Sequence, residues 1–274
     1  MRVKFWGTRG SVPTPGRATE RYGGNTSCVE VLIGEERLIL DAGTGIRDLG
    51  LAMSDEGPSE AHLLFSHAHW DHIQGLPFFV PLFTPGYVLH IYAPERFRQR
   101  LERGLNKQMT SDNFPVDFGD VAAEIQFDTM PDEGFSFGSI NISAFELPHP
   151  GGCWGYRVEA EGKSLFYAPD QEIAPGEHDG IFDALVEHIK GVNLLIADGQ
   201  YTREEYPQRV GWGHSPVEET LRLAQVAEVG RLAVTHHDPM RDDKALAELE
   251  RRMRRAGGEL PVFFARDRLA VEVR

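Results

Sequence analysis

The chain has 274 residues, 41% of them hydrophobic, which is enough for a substantial core in one domain spanning 1–274. Acidic residues outnumber basic ones 42 to 28, for a formal net charge of −14; this argues against a basic surface built to grip long nucleic acid and favours a small substrate. No apolar run approaches the roughly 20 residues needed to cross a bilayer, the opening MRVKFWGTRG is not a secretory signal, and Cys28 and Cys153 are expected reduced, so the expectation is a cytoplasmic protein without a membrane partner.

Strands come first along the chain: RVKFWG, CVEVLIG, RLILDAG and HLLFSHAH, divided by Gly and charged turns such as GEER. RFRQRLERGLNKQ (97–109) reads as a surface helix. Further strands lie in AEIQFDTM and INISAFELPHP, then a hairpin in which WGYRVEA and LFYAPD flank the turn EGKS. After that helices and strands alternate: IFDALVEHIK before NLLIADG, PVEETLRLAQVAE before RLAVTHHDP, and DKALAELERRMRRAG before PVFFAR and LAVEV. The order implies two sheets packed face to face with helices outside. Asp41, His67, His149, Asp170, Asp198 and His236 each end or closely follow an apolar strand, where side chains from one sandwich edge can converge.

The sharpest signal is SHAHWDH, residues 66–72. His67 and His69 lie two apart and project to one side of an extended segment; Asp71 and His72 come next, at an expected helix start led by IQGLPFF. Such groups cannot be buried without partners, and a divalent cation would satisfy them together. Imidazole and carboxylate without thiolate suit zinc first, with manganese or iron as alternatives. With His149, Asp170 and His236 downstream, six or seven ligands exceed one tetrahedral ion and match two ions sharing a carboxylate.

HAHWDH is similar to the HxHxDH signature of the metallo-β-lactamase superfamily, and the later motifs appear in that superfamily's order along essentially the whole chain. It looks most like the phosphodiesterase branch, which includes ribonuclease Z and cyclic-nucleotide phosphodiesterases. The resemblance implies a four-layer αββα sandwich of the α/β (α+β) class. It implies that His67, His69 and His149 hold one metal, that Asp71, His72 and His236 hold the second, and that Asp170 bridges them. Asp41 in LDAGTG would orient ligands. His214 in GWGHS resembles the branch's catalytic histidine, a proton donor to the departing oxygen, with Asp198 standing where ribonuclease Z has a glutamate. Asp71 would serve catalysis as well as metal binding.

Neighbouring residues on a strand point to opposite faces, so the residues alone leave His236 and His237 both open as the last ligand; the resemblance selects His236, and His237 then lines the pocket beside the ligands or simply makes a hydrogen bond. His62, His90, His178 and His188 read as incidental, and Arg9 in GTRGS either contacts phosphate or is a surface arginine. His149 and Asp170 are separated by about one hairpin, too little for the tRNA-gripping arm of ribonuclease Z. The implied function is therefore hydrolysis of a small, cyclic nucleotide phosphodiester by metal-activated water. RNA 3′-end processing, lactone or thioester hydrolysis on the same metals, and a non-enzymatic metal-stabilised binding module are the alternatives. Homodimer formation is suggested by kinship alone.

Overall fold

A computed structural model describes residues 1–131, 134–176 and 180–274. The chain runs β1 (Arg2–Gly7), β2 (Cys28–Ile33), β3 (Glu36–Leu40), α1 (Ile46–Glu56), β4 (Glu60–Leu64), α2 (Trp70–Ile73), β5 (Val88–Pro94), α3 (Glu95–Gln108) and β6 (Glu124–Met130). It continues through β7 (Phe135–Phe137), β8 (Ile140–Leu147), β9 (Cys153–Ala160), β10 (Lys163–Ala168), α4 (Gly180–Ile189), β11 (Leu194–Asp198), α5 (Val217–Val226), β12 (Leu232–Thr235), α6 (Asp243–Ala256), β13 (Val262–Phe264) and β14 (Ala270–Glu272).

The strands form two seven-stranded sheets, ordered β14-β1-β2-β3-β4-β5-β6 and β13-β12-β11-β10-β9-β8-β7. Each is antiparallel in one part and parallel in the other: β3 to β6 run parallel, as do β10 to β13. Parallel strands need both faces covered, and three apolar clusters do this. Val3, Val29, Val31 and Leu40 of one sheet meet Tyr156, Val158, Leu165 and Ile196 of the other. Ile46, Leu49 and Met53 of α1, with Phe97, Leu101 and Leu105 of α3, cover the outer face of the first sheet. Leu185 of α4, Leu223 of α5 and Leu246 and Met253 of α6 cover the second. The result is the expected αββα order of layers.

Several segments differ from their sequence reading. The helix expected after His69 lasts one turn, Trp70–Ile73, because Gly75, Pro77 and Pro81 break its continuation into short 3-10 turns at Leu76–Phe78 and Val80–Phe83. Helix α1 and strand β5 have no counterpart among the elements expected from sequence: α1 carries a mid-helix Gly50 whose added Cβ would lie 2.8 Å from Phe79, so its glycine serves close packing. No described helix is long and apolar enough to cross a membrane. Cys28 and Cys153 are buried and unpaired.

The antiparallel hairpin of β9 and β10 is the only element between His149 and Asp170, and residues 150–169 are all described. The parallel strands place their carboxyl ends together, the usual position for a site in such sheets. There hydrogen bonds join the sheets, among them Tyr156 Oη donating to the Phe65 carbonyl at 2.6 Å and the Trp154 N–H to the Ser66 carbonyl at 2.8 Å.

Candidate metal centre

Seven side chains from strand ends and the α2 turn converge at this edge. His67, His69, His149 and Asp170 form one group whose ligand atoms lie within 4.8 Å of one another; Asp71, His72 and His236 form a second. The Asp170 carboxylate faces both: Oδ2 lies 3.5 Å from His67 Nε2 and 3.7 Å from His149 Nε2, while Oδ1 lies 3.1 Å from His72 Nε2 and 3.3 Å from His236 Nε2.

The spacing tests whether these residues fit a cation. A tetrahedral ion with bonds of about 2.0–2.1 Å separates its ligand atoms by about 3.3–3.4 Å. In the second group His72 Nε2 to His236 Nε2 is 3.4 Å, His72 Nε2 to Asp71 Oδ2 3.4 Å and His236 Nε2 to Asp71 Oδ2 3.1 Å. His69 Nδ1 and His149 Nε2 are 3.1 Å apart in the first. Among the described residues, His67 Nε2 and Asp170 Oδ1 are enclosed and have no hydrogen-bond partner, an arrangement that burial penalises unless a cation completes it. The donor set fits divalent metal.

The outer ring nitrogens are committed elsewhere, which turns the inner ones toward the cluster. Asp41 is the hub: it accepts from His72 Nδ1 at 2.7 Å, from the Ser66 N–H at 2.7 Å and Ser66 Oγ at 2.8 Å, and from Tyr167 Oη of the opposite sheet at 2.8 Å. Ser66 Oγ in turn lies 3.0 Å from His67 Nδ1. His149 Nδ1 is 2.8 Å from the Gly213 carbonyl, and His236 Nδ1 is 3.1 Å from Gln200 Oε1. Asp71 Oδ2 accepts the Ser11 N–H at 2.7 Å. Three of these residues, Ser11 (φ 65°), Asp41 (φ 62°) and His236 (φ 56°), adopt the left-handed backbone region, a cost that concentrates at functional sites.

Charge agrees with this picture. Burial pushes His67 well below its ordinary value, with His72 adding to the effect. Burial would raise the Asp170 carboxyl, but His236, His72 and His67 hold it well below the usual carboxylate range. Burial would lower His72, but Asp170, Asp71 and Asp41 together overcome it and raise His72 well above its ordinary value.

His214 is buried beside the second group, its ring stacked on His236 at 4.7 Å between centroids. Its Nδ1 lies 3.2 Å from Asp198 Oδ2, which also accepts the Ser215 N–H at 3.1 Å, while Asp198 Oδ1 accepts the Gln200 N–H at 2.8 Å. Burial opposes a charged imidazole here, but the charge and hydrogen bond of Asp198, with Asp170 and Asp71 beyond it, lift His214 to about 9.

His237 does not stand beside the ligands, which corrects that reading of it, and makes a simple hydrogen bond instead: its Nε2 lies 2.7 Å from the Ala265 carbonyl, its ring stacks on Phe264, and burial lowers it to about 3. The left-handed turn at His236 sends the two neighbouring rings to different surroundings, one to the cluster and one to the core. Arg9 is a strut, wholly buried, donating to the carbonyls of Gly23, Asp238 and Arg241 and so unavailable to phosphate. His62 and His90 stack on one another away from the cluster, and His188 packs on Phe145; His178 lies outside the described residues. Ser11, Gln200 and the Gly213 carbonyl escape the sequence reading, since each acts through a backbone group or a neutral amide that no motif marks.

Comparison with known proteins gives a consistent family picture. Residues 36–237 match the family described as Beta-lactamase superfamily domain. The chain is 24% identical to ribonuclease BN of Escherichia coli, over 93% of this chain and 94% of that one. Among solved structures it is similar to the metallo-beta-lactamase fold protein YhfI from Bacillus subtilis, at TM-score 0.73 and 20% identity, covering 99% of each chain. It is also similar to a diphosphatase from the PhnP family, at TM-score 0.72 and 20% identity, covering 100% of this chain and 98% of the other.

Proposed function

Because the chain belongs to the beta-lactamase superfamily, we propose that it is a metal-dependent phosphodiesterase, using two divalent ions, zinc first, to hydrolyse a small, cyclic nucleotide phosphodiester. The observation that carries this reading is the pairing of two ligand groups across Asp170 with a histidine–carboxylate pair, His214 and Asp198, set against the second group. His67, His69 and His149 would hold one ion, Asp71, His72 and His236 the other, and Asp170 both. Held there, such ions would supply an activated water and would compensate charge on the phosphoryl oxygens.

The chain's own groups do the rest. The Ser11 N–H fixes the Asp71 carboxylate that must face the second ion. Asp198 accepts a hydrogen bond from His214 Nδ1 and orients the ring, which leaves Nε2–H to protonate the departing oxygen. The Ser215 and Gln200 N–H groups hold the Asp198 carboxylate in place.

Names of similar proteins support the class: a ribonuclease and a diphosphatase both cleave phosphate linkages. The former also sustains RNA 3′-end processing as a second reading, but the space between His149 and Asp170 is filled by a plain hairpin, and the net charge of −14 disfavours long nucleic acid. Buried, unpaired cysteines suit a reducing compartment, and we place the activity in the cytoplasm.

The test is turnover of bis(p-nitrophenyl) phosphate and cyclic nucleotides by zinc-loaded protein. His214→Ala should lower kcat about 10²–10⁴-fold on these diesters while sparing a lactone or thioester, whose hydrolysis needs no acid at that position. Equal loss on both bond types, or no diester turnover by the wild type, defeats the assignment.

A further inference from the structure

We propose that the pocket beyond His214 is a leaving-group subsite and that it selects diesters whose leaving nucleoside carries a second phosphate. The inference rests on the phosphodiesterase reading above and narrows its substrate class, from mononucleotides toward dinucleotide-sized molecules.

Tyr201, Arg209, Trp212, His214 and Met240 line a pocket of about 430 Å³, a volume at the lower end of small-molecule sites and suited to one nucleotide-sized group. Its inner wall is the proposed acid itself, so whatever oxygen His214 protonates leaves into this space. Arg209 stands between two aromatic rings, its guanidinium 5.7 Å from the Tyr201 ring centre and 4.9 Å from that of Trp212. Among the described residues it has no carboxylate partner. In a chain with 42 acidic residues, a guanidinium held in place by two rings and left unneutralised is a ready anion site.

Tyr201 supplies the second, independent sign. It is only 3% exposed, yet its side chain makes no hydrogen bond among the described residues. Its hydroxyl is not enclosed: it belongs to the pocket wall, where its O–H can donate to a phosphate oxygen beside Arg209. Neighbouring charges are already engaged: Arg241 pairs with Glu205, and Asp238 accepts the Met240 N–H at 2.7 Å. Asp238 also lines the pocket and repels anions from its own wall, which leaves the Arg209 side for the phosphate. Trp212 and Met240 are 59% and 89% exposed, an apolar platform at the rim on which a base can lie.

The chemistry stays a hydrolysis. The bond from water oxygen to phosphorus forms, the bond from phosphorus to the leaving oxygen breaks, and the proton on His214 Nε2 passes to that oxygen. Arg209 and Tyr201 bind the leaving nucleoside's other phosphate and take no part in the bond change; they determine specificity.

Titration of zinc-loaded protein by tryptophan fluorescence tests this, with adenosine 3′,5′-bisphosphate and 5′-AMP as probes. Both carry one phosphate for the metal centre, so the difference reports the second. The bisphosphate should bind at least about tenfold tighter, with quenching that Trp212→Phe removes. Arg209→Gln should erase the difference, and Arg209→Lys, which keeps the charge but loses the planar fork and its stacking, should retain only part of it. Equal affinities in the wild type, or a gap that survives Arg209→Gln, overturn the subsite. Bis(p-nitrophenyl) phosphate, which lacks a second phosphate, separates the two failures: its hydrolysis without a bisphosphate advantage sinks only the subsite, whereas its resistance sinks the diesterase reading.

Discussion

Asp41 shows how much of the centre depends on one side chain that would touch no metal. It accepts four hydrogen bonds, from His72, Ser66 twice and Tyr167, and through Ser66 it reaches His67. Its negative charge raises the basicity of His72 and fixes the tautomer that points Nε2 inward. Asparagine tolerates the same left-handed backbone but offers one neutral oxygen in place of a carboxylate. Asp41→Asn should therefore keep the fold and lose about 10–100-fold in zinc affinity, read by competition with a chromophoric chelator; unchanged affinity would reduce Asp41 to a turn residue. At this scale the sequence is uneven in what it discloses. HAHWDH is legible because six adjacent residues carry four of the ligands. His236 and His237 are not separable from residue types, because what distinguishes them is the left-handed φ of 56° at His236, a tertiary fact fixed by the loop at Thr8 and Gly10 that bonds to His237 on both sides.

At the scale of elements, strand ends position the ligands and loops lock them. The expected strands and the three late helices stand close to their sequence positions, because alternating or continuous apolar runs bounded by Gly and charged turns specify them directly. Strand β5 and helix α1 are obscured: β5 carries His90 and Tyr92 within its apolar run, and α1 has polar ends and a central glycine. Loop geometry is less legible still, as two glycines illustrate. A Cβ on Gly10 would stand 2.3 Å from His236 Nδ1, and one on Gly213, at φ 89°, would stand 2.3 Å from His149 Nδ1. Both sites need bare backbone beside a ligand ring. Gly213→Ala should displace His149, lowering affinity for the ion it shares with His67 and His69 while leaving the second ion's ligands in place. Metal counting by mass spectrometry should then give closer to one tightly held zinc than two. Two equally tight ions in the variant would show that the loop yields and that the contact does not position the ring.

For the whole molecule, the question is whether metal holds the fold or the fold holds the metal. The three apolar clusters lie between the sheets and on both outer faces, and none includes a ligand residue. Burial of that extent supplies the folding drive without ions. The ligand edge is different: without a cation, His67 Nε2 and Asp170 Oδ1 remain enclosed and unpartnered among the described residues, and ligand atoms within a group face one another at 3.1–3.7 Å. Chelation should thus destabilise without unfolding. At zinc concentrations about 1,000-fold above Kd, binding adds about 4 kcal/mol per site, and a chain of this size shifts by roughly 2–4 °C per kcal/mol. Removal of zinc should lower Tm by roughly 10 °C or more, with far-UV circular dichroism and a cooperative melt retained and Tm restored on adding zinc back. Collapse of the dichroism on chelation would instead make the metals structural, in favour of the binding-module reading. An unchanged Tm would mean that the clustered imidazoles and carboxylates bind no ion at all.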